Sequence, residues 1–265
     1  MGNKLSLHER ISNADKTQVL NLSDARLVKL PSEVLVIKQL RNLDLSGNRL
    51  DTLPPQTAKV WWTVDYLVLL LTGAPQWTAL RTLNLAHNSF ATVPLDLAAL
   101  TLLETLNLSH NVLKTLPAAV FGLPRLRTLN CAANRLATLP GAAEGQGDGG
   151  LAGCPALVSL DVSANALTAL PSLRALGCLA LQELLCADNR LAALPDDLAA
   201  LPSLKIINVR NNALQSFPPA VLRNQSVVWI ELDGNPNFDE LSLSELDGYH
   251  EFELRRKDRI INREK

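Results

Sequence analysis

One spacing constrains this chain more than any other feature. Residues 103–117 read Leu-x-x-Leu-x-Leu-x-x-Asn-x-Leu-x-x-Leu-Pro, from Leu103 through Asn111 to Pro117. The same pattern stands 23 residues earlier, from Leu80 through Asn88 to Pro94, and 23 later, from Leu126 through Asn134 to Pro140. Self-similarity at a period of roughly 20–50 residues marks stacked units, each too small to bury its own apolar face. A chain with this spacing folds by piling one unit on the next.

The Asn position is filled at Asn48, Asn88, Asn111, Asn134, Asn165, Asn189, Asn212 and Asn235, and Ala25 stands in for it in the first unit. That gives nine units. Their paired apolar positions run from Leu20/Leu22 to Ile230/Leu232, with Cys131 and Cys186 in two of the second positions. Alternation at period two predicts a short strand. Stacked copies predict one parallel sheet, leucines inward and the intervening residues outward. A buried Asn amide must be satisfied, so each Asn is expected to bond backbone groups of the bend after its strand. Eight units continue to an apolar residue followed by Pro, at Pro31, Pro54, Pro94, Pro117, Pro140, Pro171, Pro195 and Pro218. Proline fixes φ where the chain turns away from the sheet. Stretches such as Asp196 to Leu204 are apolar every third residue, which predicts short 3₁₀ or helical segments on the convex side.

Composition agrees. About a fifth of the residues are leucine and only 4% are aromatic, which suits an interior filled by one repeated side chain. The formal charge is −1, with none of the basic excess that nucleic-acid binding requires. No cysteine cluster brackets the repeats, as extracellular disulfide caps would need. Cys131 and Cys186 are expected to pack in the leucine ladder and Cys154 and Cys178 to lie in convex-side segments, all in a reducing compartment, and no secretory signal pattern opens the chain.

Two spacings break the rule. Asn134 to Asn165 is 31, and the surplus falls in the Gly-rich stretch 141–150, expected to be a flexible loop. Asn48 to Asn88 is 40. Its surplus, Val60 through Gln76, holds about a dozen apolar residues and Asp65, against the ~20 that a membrane span needs. Deleting 60–76 restores normal spacing and brings Trp77 onto the convex apolar position of Leu123 and Leu201. Val codons begin GT and a Gln codon can be CAG, the letters of splice sites. The block therefore reads either as a retained intron or as an apolar docking loop.

The resulting division is 1–16 as an N-terminal segment with a lipidation signal and cap, 17–239 as the repeat domain with insertions at 60–76 and 141–150, and 240–265 as a C-terminal cap with a basic tail. Met1-Gly2-Asn3-Lys4-Leu5-Ser6 matches the N-myristoylation pattern at Gly2. One acyl chain binds membrane weakly and reversibly. Residues 7–16, apolar at Leu7, Ile11 and Ala14, are expected to cover the open edge of the first unit. At the other end Leu241, Leu243, Leu246, Phe252 and Leu254 predict a capping segment that turns helical and ends, from Arg255, in a charged tail.

With their Leu-Pro endings, these units resemble the short intracellular class of leucine-rich repeats. The Met1-Gly2-Asn3 start, Ala14 to Val19 before the first strand and Glu245 to Tyr249 near the end are similar to the termini of a small member of that class. The resemblance implies a leucine-rich-repeat solenoid of α/β class, a horseshoe with a parallel concave sheet. It also implies a non-enzymatic, cytoplasmic protein, peripheral on a membrane and without a cofactor.

Recognition is expected on the concave face. The residue between the strand leucines is Asn21, Asp44, Asn84, Asn107, Asn130, Asp161, Leu185, Asn208 and Glu231 in turn. The residue before the first leucine is Val19, Asn42, Thr82, Thr105, Thr128, Ser159, Glu183, Ile206 and Trp229. The rows are small and polar until the last three units. There Leu185, Ile206 and Trp229 stand beside Asn208, Arg210 and Glu231, and exposed Trp and Arg are enriched at interface hot spots. These six residues are the candidate site for a protein partner. The competing reading makes the Asn and Thr rows inter-repeat hydrogen-bond ladders and packs Trp229 under the C-terminal cap. His87 and His110 fall in one column of adjacent units, with no third ligand aligned to make a metal site. Phosphate-loop, serine-hydrolase and zinc-protease motifs are absent. The sequence supports an interaction scaffold or adaptor. A regulatory subunit for a phosphatase, GTPase or ubiquitin ligase, or a structural part of a large assembly such as an axoneme, would use the same surface.

Overall fold

The computed structural model describes residues 6–35, 37–53, 77–93, 100–141, 153–236, 238 and 244–263. Among them the nine units contribute nine three-residue strands: β1 Val19–Asn21, β2 Asn42–Asp44, β3 Thr82–Asn84, β4 Thr105–Asn107, β5 Thr128–Asn130, β6 Ser159–Asp161, β7 Glu183–Leu185, β8 Ile206–Asn208 and β9 Trp229–Glu231. They form one parallel sheet in sequence order. The first strand leucines are in register throughout, Leu83 against Leu106 and Leu106 against Leu129, for example. Both leucine columns are buried from Leu20 and Leu22 onward, except for the half-buried Ile230 at the end of the first, and Cys131, Cys186, Val162 and Val209 fill the second column where leucine is absent. Each buried aliphatic side chain contributes about 1.5–3 kcal/mol over its exposed form.

The Asn column does more than satisfy its own bend. Asn111 Nδ2 donates to the Leu108 carbonyl at 3.0 Å within its unit and to the Leu85 carbonyl of the preceding unit at 3.0 Å. Its Oδ1 accepts the Phe90 N–H of the preceding unit at 3.0 Å. The same scheme recurs from Asn48 to Asn235. Each Asn is thus a rivet between neighbours. Ala25 makes no such bond: the helix Leu7–Thr17, not another repeat, packs against its strand.

A backbone feature accompanies the column. The residue before each Asn position lies in the left-handed region: Asp24, Gly47, His87, His110, Ala133, Ala164, Asp188, Asn211 and Gly234, with φ between 51° and 77°. Non-glycine residues reach this region at a cost of about 1–2 kcal/mol. Glycine occupies two of the nine positions.

On the convex side lie α2 (Ser32–Leu35), 3₁₀ turns at Ala118–Gly122 and Asp196–Ala200, and α3 (Pro219–Arg223). Pro117, Pro195 and Pro218 start the last three from φ of −69°, −63° and −69°. Trp77 is 2% exposed, and its carbonyl accepts the Leu80 N–H, as Leu100 and Leu123 accept from Leu103 and Leu126. It therefore occupies the column assigned to it. The block 60–76 and the loop stretch from 142 to 150 lie outside the described residues.

Both ends carry helices. α1 (Leu7–Thr17) starts with a capping box, in which Ser6 accepts from the Glu9 N–H while the Glu9 carboxylate accepts from the Ser6 N–H. Ala14 is buried and Ile11 half-buried, but Leu7 is exposed. The helix outruns the three-residue strand it covers, so its first turn finds no apolar surface. The terminal helix α4 (Tyr249–Arg263) buries Phe252, with Leu246 and Tyr249 packed beside it. Leu254 is exposed, contrary to expectation, because it projects from the face opposite the core. The helix expected in the cap runs on through the charged stretch from Arg255 to Arg263, and Arg255 Nη2 donates to the Leu222 carbonyl, closing the last convex segment.

Candidate interaction surface

The outward residues of the sheet divide into two regions. Over the first six strands the position between the leucines is always Asn or Asp. In each, the side-chain oxygen accepts the N–H two residues on, at 2.9–3.1 Å, from Asn21 with Ser23 to Asp161 with Ser163. These are local turns of the Asx kind. The polar row is therefore held within each unit rather than by ladders between units, because the bend after the strand brings a backbone donor closer than the neighbouring amide.

That row breaks at Leu185 and again at Glu231. Leu185 stands in register with Asp161 and Asn208, and Ile206 with Glu183 and Trp229. Leu185 and Ile206 are half-buried, and Trp229 is 37% exposed. Trp229 is nevertheless held in place. Its Nε1 donates to Glu231 at 2.8 Å, and Glu231 also accepts from Asn208 Nδ2 at 2.7 Å. The Arg256 guanidinium of α4 lies 4.8 Å from the indole centroid. Arg210 pairs with Asp233 at 3.5 Å. All six sequence-selected residues thus fall on adjoining strands, β7 to β9, or directly after them. Trp229 is flanked by the cap and open to solvent at once. Arg256, which braces it, carried no signal in the repeat pattern.

His87 and His110 stack with ring centroids 4.0 Å apart and planes 10° from parallel. Nitrogen lone pairs lie in the ring planes, so a stacked pair directs them side by side instead of toward one ion. No group of three potential ligands occurs among the described residues. A second feature escaped the sequence reading: a depression where α1 meets β1, lined by Arg10, Asn13, Thr17, Val19 and Asn21.

All four cysteines are buried free thiols. Burial pushes the Cys154 thiol up to about 11 and the Cys178 thiol up to about 12, and raises Cys131 and Cys186 further. They serve as core side chains. Gly2 lies outside the described residues. Ser6, which completes the lipidation pattern, is the N-cap of α1, so its hydroxyl has a structural task as well. Among the described residues no helix is long and apolar enough to cross a membrane.

Comparison with known proteins bears on this geometry. The family pattern described as leucine rich repeat matches residues 78–136, and a second leucine-rich-repeat pattern matches 39–59. Residues 39–59 and 78–136 thus carry the leucine-rich-repeat pattern, and the nine-stranded parallel sheet is consistent with a leucine-rich-repeat solenoid. Among solved structures it is similar to YopM from Yersinia enterocolitica WA-314, with a TM-score of 0.61 and 26% identity over 89% of this chain. The match spans 43% of that protein, so the chain corresponds to under half of its length. It is similar in fold to a chain of the octameric complex of Latrophilin 3, Unc5D and FLRT2, at TM-score 0.59 and 17% identity, covering 87% of this chain and 72% of that one. YopM from Yersinia pestis, a leucine-rich effector protein, matches at TM-score 0.53 and 21% identity, covering 85% and 64%.

Proposed function

We propose that this leucine-rich-repeat chain is a non-enzymatic adaptor that binds a protein partner on the C-terminal part of its concave face. The observation that carries the reading is Trp229. A large aromatic side chain, 37% exposed, is pinned by Glu231 and Arg256 in a sheet whose other outward positions are mostly small and polar. Rigid aromatic anchors lose little entropy on binding and dominate interface energetics. Leu185 and Ile206 extend the apolar area, and Asn208, Arg210 and Glu231 frame it with polar groups. A repeat fold suits this use. The octamer of Latrophilin 3, Unc5D and FLRT2 contains a leucine-rich-repeat component.

Both termini resemble those of leucine-rich repeat-containing protein 57. On this reading Gly2 is myristoylated, and the acyl chain gives weak, reversible membrane contact to a cytoplasmic protein. Mass measurement of the N-terminus after expression in eukaryotic cells tests it, and an unmodified Gly2 removes the membrane part.

The binding part is tested with Trp229→Ala and Ile206→Ala, against Thr105→Ala on the polar rows as a control. Proximity labelling in cells should lose the same partner with both C-terminal variants and keep it with Thr105→Ala, while thermal melting stays near the parent's. Equal retention of partners in all three variants would refute the reading.

A further inference from the structure

The charges around Leu185, Ile206 and Trp229 have a consistent sign. Asp161 stands in register beside Leu185, and Glu183 beside Ile206. Glu231 stands in register beside Asn208 and hydrogen-bonds to Trp229. Among the described residues none of these three carboxylates is in a salt bridge. Asp161 accepts the Ser163 N–H, and Glu231 accepts from the neutral donors Asn208 and Trp229. Of the nearby cations, none is in a salt bridge with these carboxylates, although Arg256 lies over the Trp229 ring. Arg210 pairs with Asp233, Lys205 donates to Gln182 at 2.7 Å, and Arg256 pairs with Glu253 at 3.0 Å. The apolar patch is therefore edged by three carboxylates that no salt bridge engages among the described residues. In β2 to β5 the outward strand residues are Asn, Thr and a single Asp44, so the feature belongs to the C-terminal units.

We infer that this surface receives a cationic, amphipathic segment of another protein, one or more large apolar side chains flanked by Lys or Arg. The inference rests on the reading of Leu185, Ile206 and Trp229 as the partner face and adds the chemistry of the partner. The apolar side chains cover Ile206 and Trp229. The flanking cations reach Glu183, Asp161 and Glu231 at the rim, where charge complementarity governs orientation and association rate. The segment fits as one helix or one extended stretch laid across three strands about 4.8 Å apart.

The experiment uses the full chain and three fluorescein-labelled peptides of one amphipathic design: Lys with Leu, Gln with Leu, and Glu with Leu. Fluorescence anisotropy at several NaCl concentrations reads the affinities. The Lys peptide is expected to bind at least about tenfold tighter than the Glu peptide, with affinity falling as salt rises. Trp229→Ala should weaken it about 30-fold, as loss of a hot-spot aromatic does. Glu183→Lys changes a half-buried outward group for which no side-chain bond is seen; it should weaken the Lys peptide and favour the Glu peptide. Glu33→Lys, the same change on convex α2, should leave both unaltered. If all three peptides bind equally and all lose affinity in Trp229→Ala, the partner face stands and the charge assignment falls. If Trp229→Ala leaves the Lys peptide unaffected, or no peptide binds, both fall. A dimer of the chain that Glu183→Lys dissolves would identify the occupant as a second copy and overturn the proposal.

Discussion

Replacing Asn111 tests the account of what joins one unit to the next. Its amide is 7% exposed and makes four bonds: Nδ2 to the carbonyls of Leu85, Leu108 and Ser109 at 3.0, 3.0 and 3.2 Å, and Oδ1 from the Phe90 N–H at 3.0 Å. The bonds do not weigh equally. The Leu85 carbonyl also accepts from Asn88 Nδ2, and the Leu108 carbonyl from Asn134 Nδ2. Each therefore keeps a donor when Asn111 is lost. The Phe90 N–H does not, and a buried unpaired donor costs about 1–3 kcal/mol. With the shared bonds weakened, Asn111→Ala should cost about 2–4 kcal/mol in all. Asn111→Asp separates the two halves of the amide. The carboxylate still accepts from Phe90, but its second oxygen faces three carbonyl oxygens where an N–H₂ stood. The folded protein then disfavours the charged form, so the folded pKa of this Asp rises above its unfolded value of about 3.9. A raised pKa contributes stability that is full below the unfolded value and is lost as pH rises through the folded one. Urea unfolding followed by circular dichroism should show Asn111→Asp weaker than Asn111→Ala at pH 7 and recovering toward pH 4, while Asn111→Ala shows no such recovery. A cost below about 1 kcal/mol for Asn111→Ala, or an Asn111→Asp midpoint flat from pH 4 to 7, would refute the rivet argument.

Three further outcomes are expected. Ala133 and Ala164 hold φ of 54° and 52°, so Ala133→Gly should stabilise by about 0.5–1 kcal/mol after the glycine's extra unfolded-state entropy is subtracted, read as a raised urea midpoint. The Cys154 and Cys178 thiols rise from an ordinary 9.0 to about 11 and about 12 because burial penalises the thiolate. Their contribution is full below pH 9 and lost as pH climbs through 11 and 12, so melting temperature should fall above pH 9, less steeply in the Cys154→Ala/Cys178→Ala variant; a thiol reagent at pH 8 should label no cysteine before unfolding and four after it. Phe252, 4% exposed, anchors α4, and Phe252→Ala should cost about 3 kcal/mol and raise proteolysis of residues 244–263 before that of the repeats.

The sequence made the leucine columns plain because the same interior slot recurs in every unit, and periodicity in the letters is periodicity in burial. The Asn column was also visible, but only half of its task was. One unit's spacing shows that Asn111 can reach Leu108; it cannot show that Leu85 and Phe90 lie equally near, since that depends on how tightly two units stack. The left-handed column went unseen for a different reason. Its occupants, among them Asp24, Gly47, His87, Ala133 and Asn211, share a backbone angle and no side-chain chemistry. His87 and His110 drew notice as histidines, while their position was set by the main chain. Trp229 shows where repeat reasoning stops. Its exposure followed from its place in the sheet, but the Arg256 that braces it comes from a helix outside the period. A repeat pattern determines what is common to all units, and common positions are spent on stacking. The proposed binding surface lies where units depart from the pattern, at Leu185, Ile206 and Trp229. The contacts of such departures are set by neighbours that the pattern does not contain.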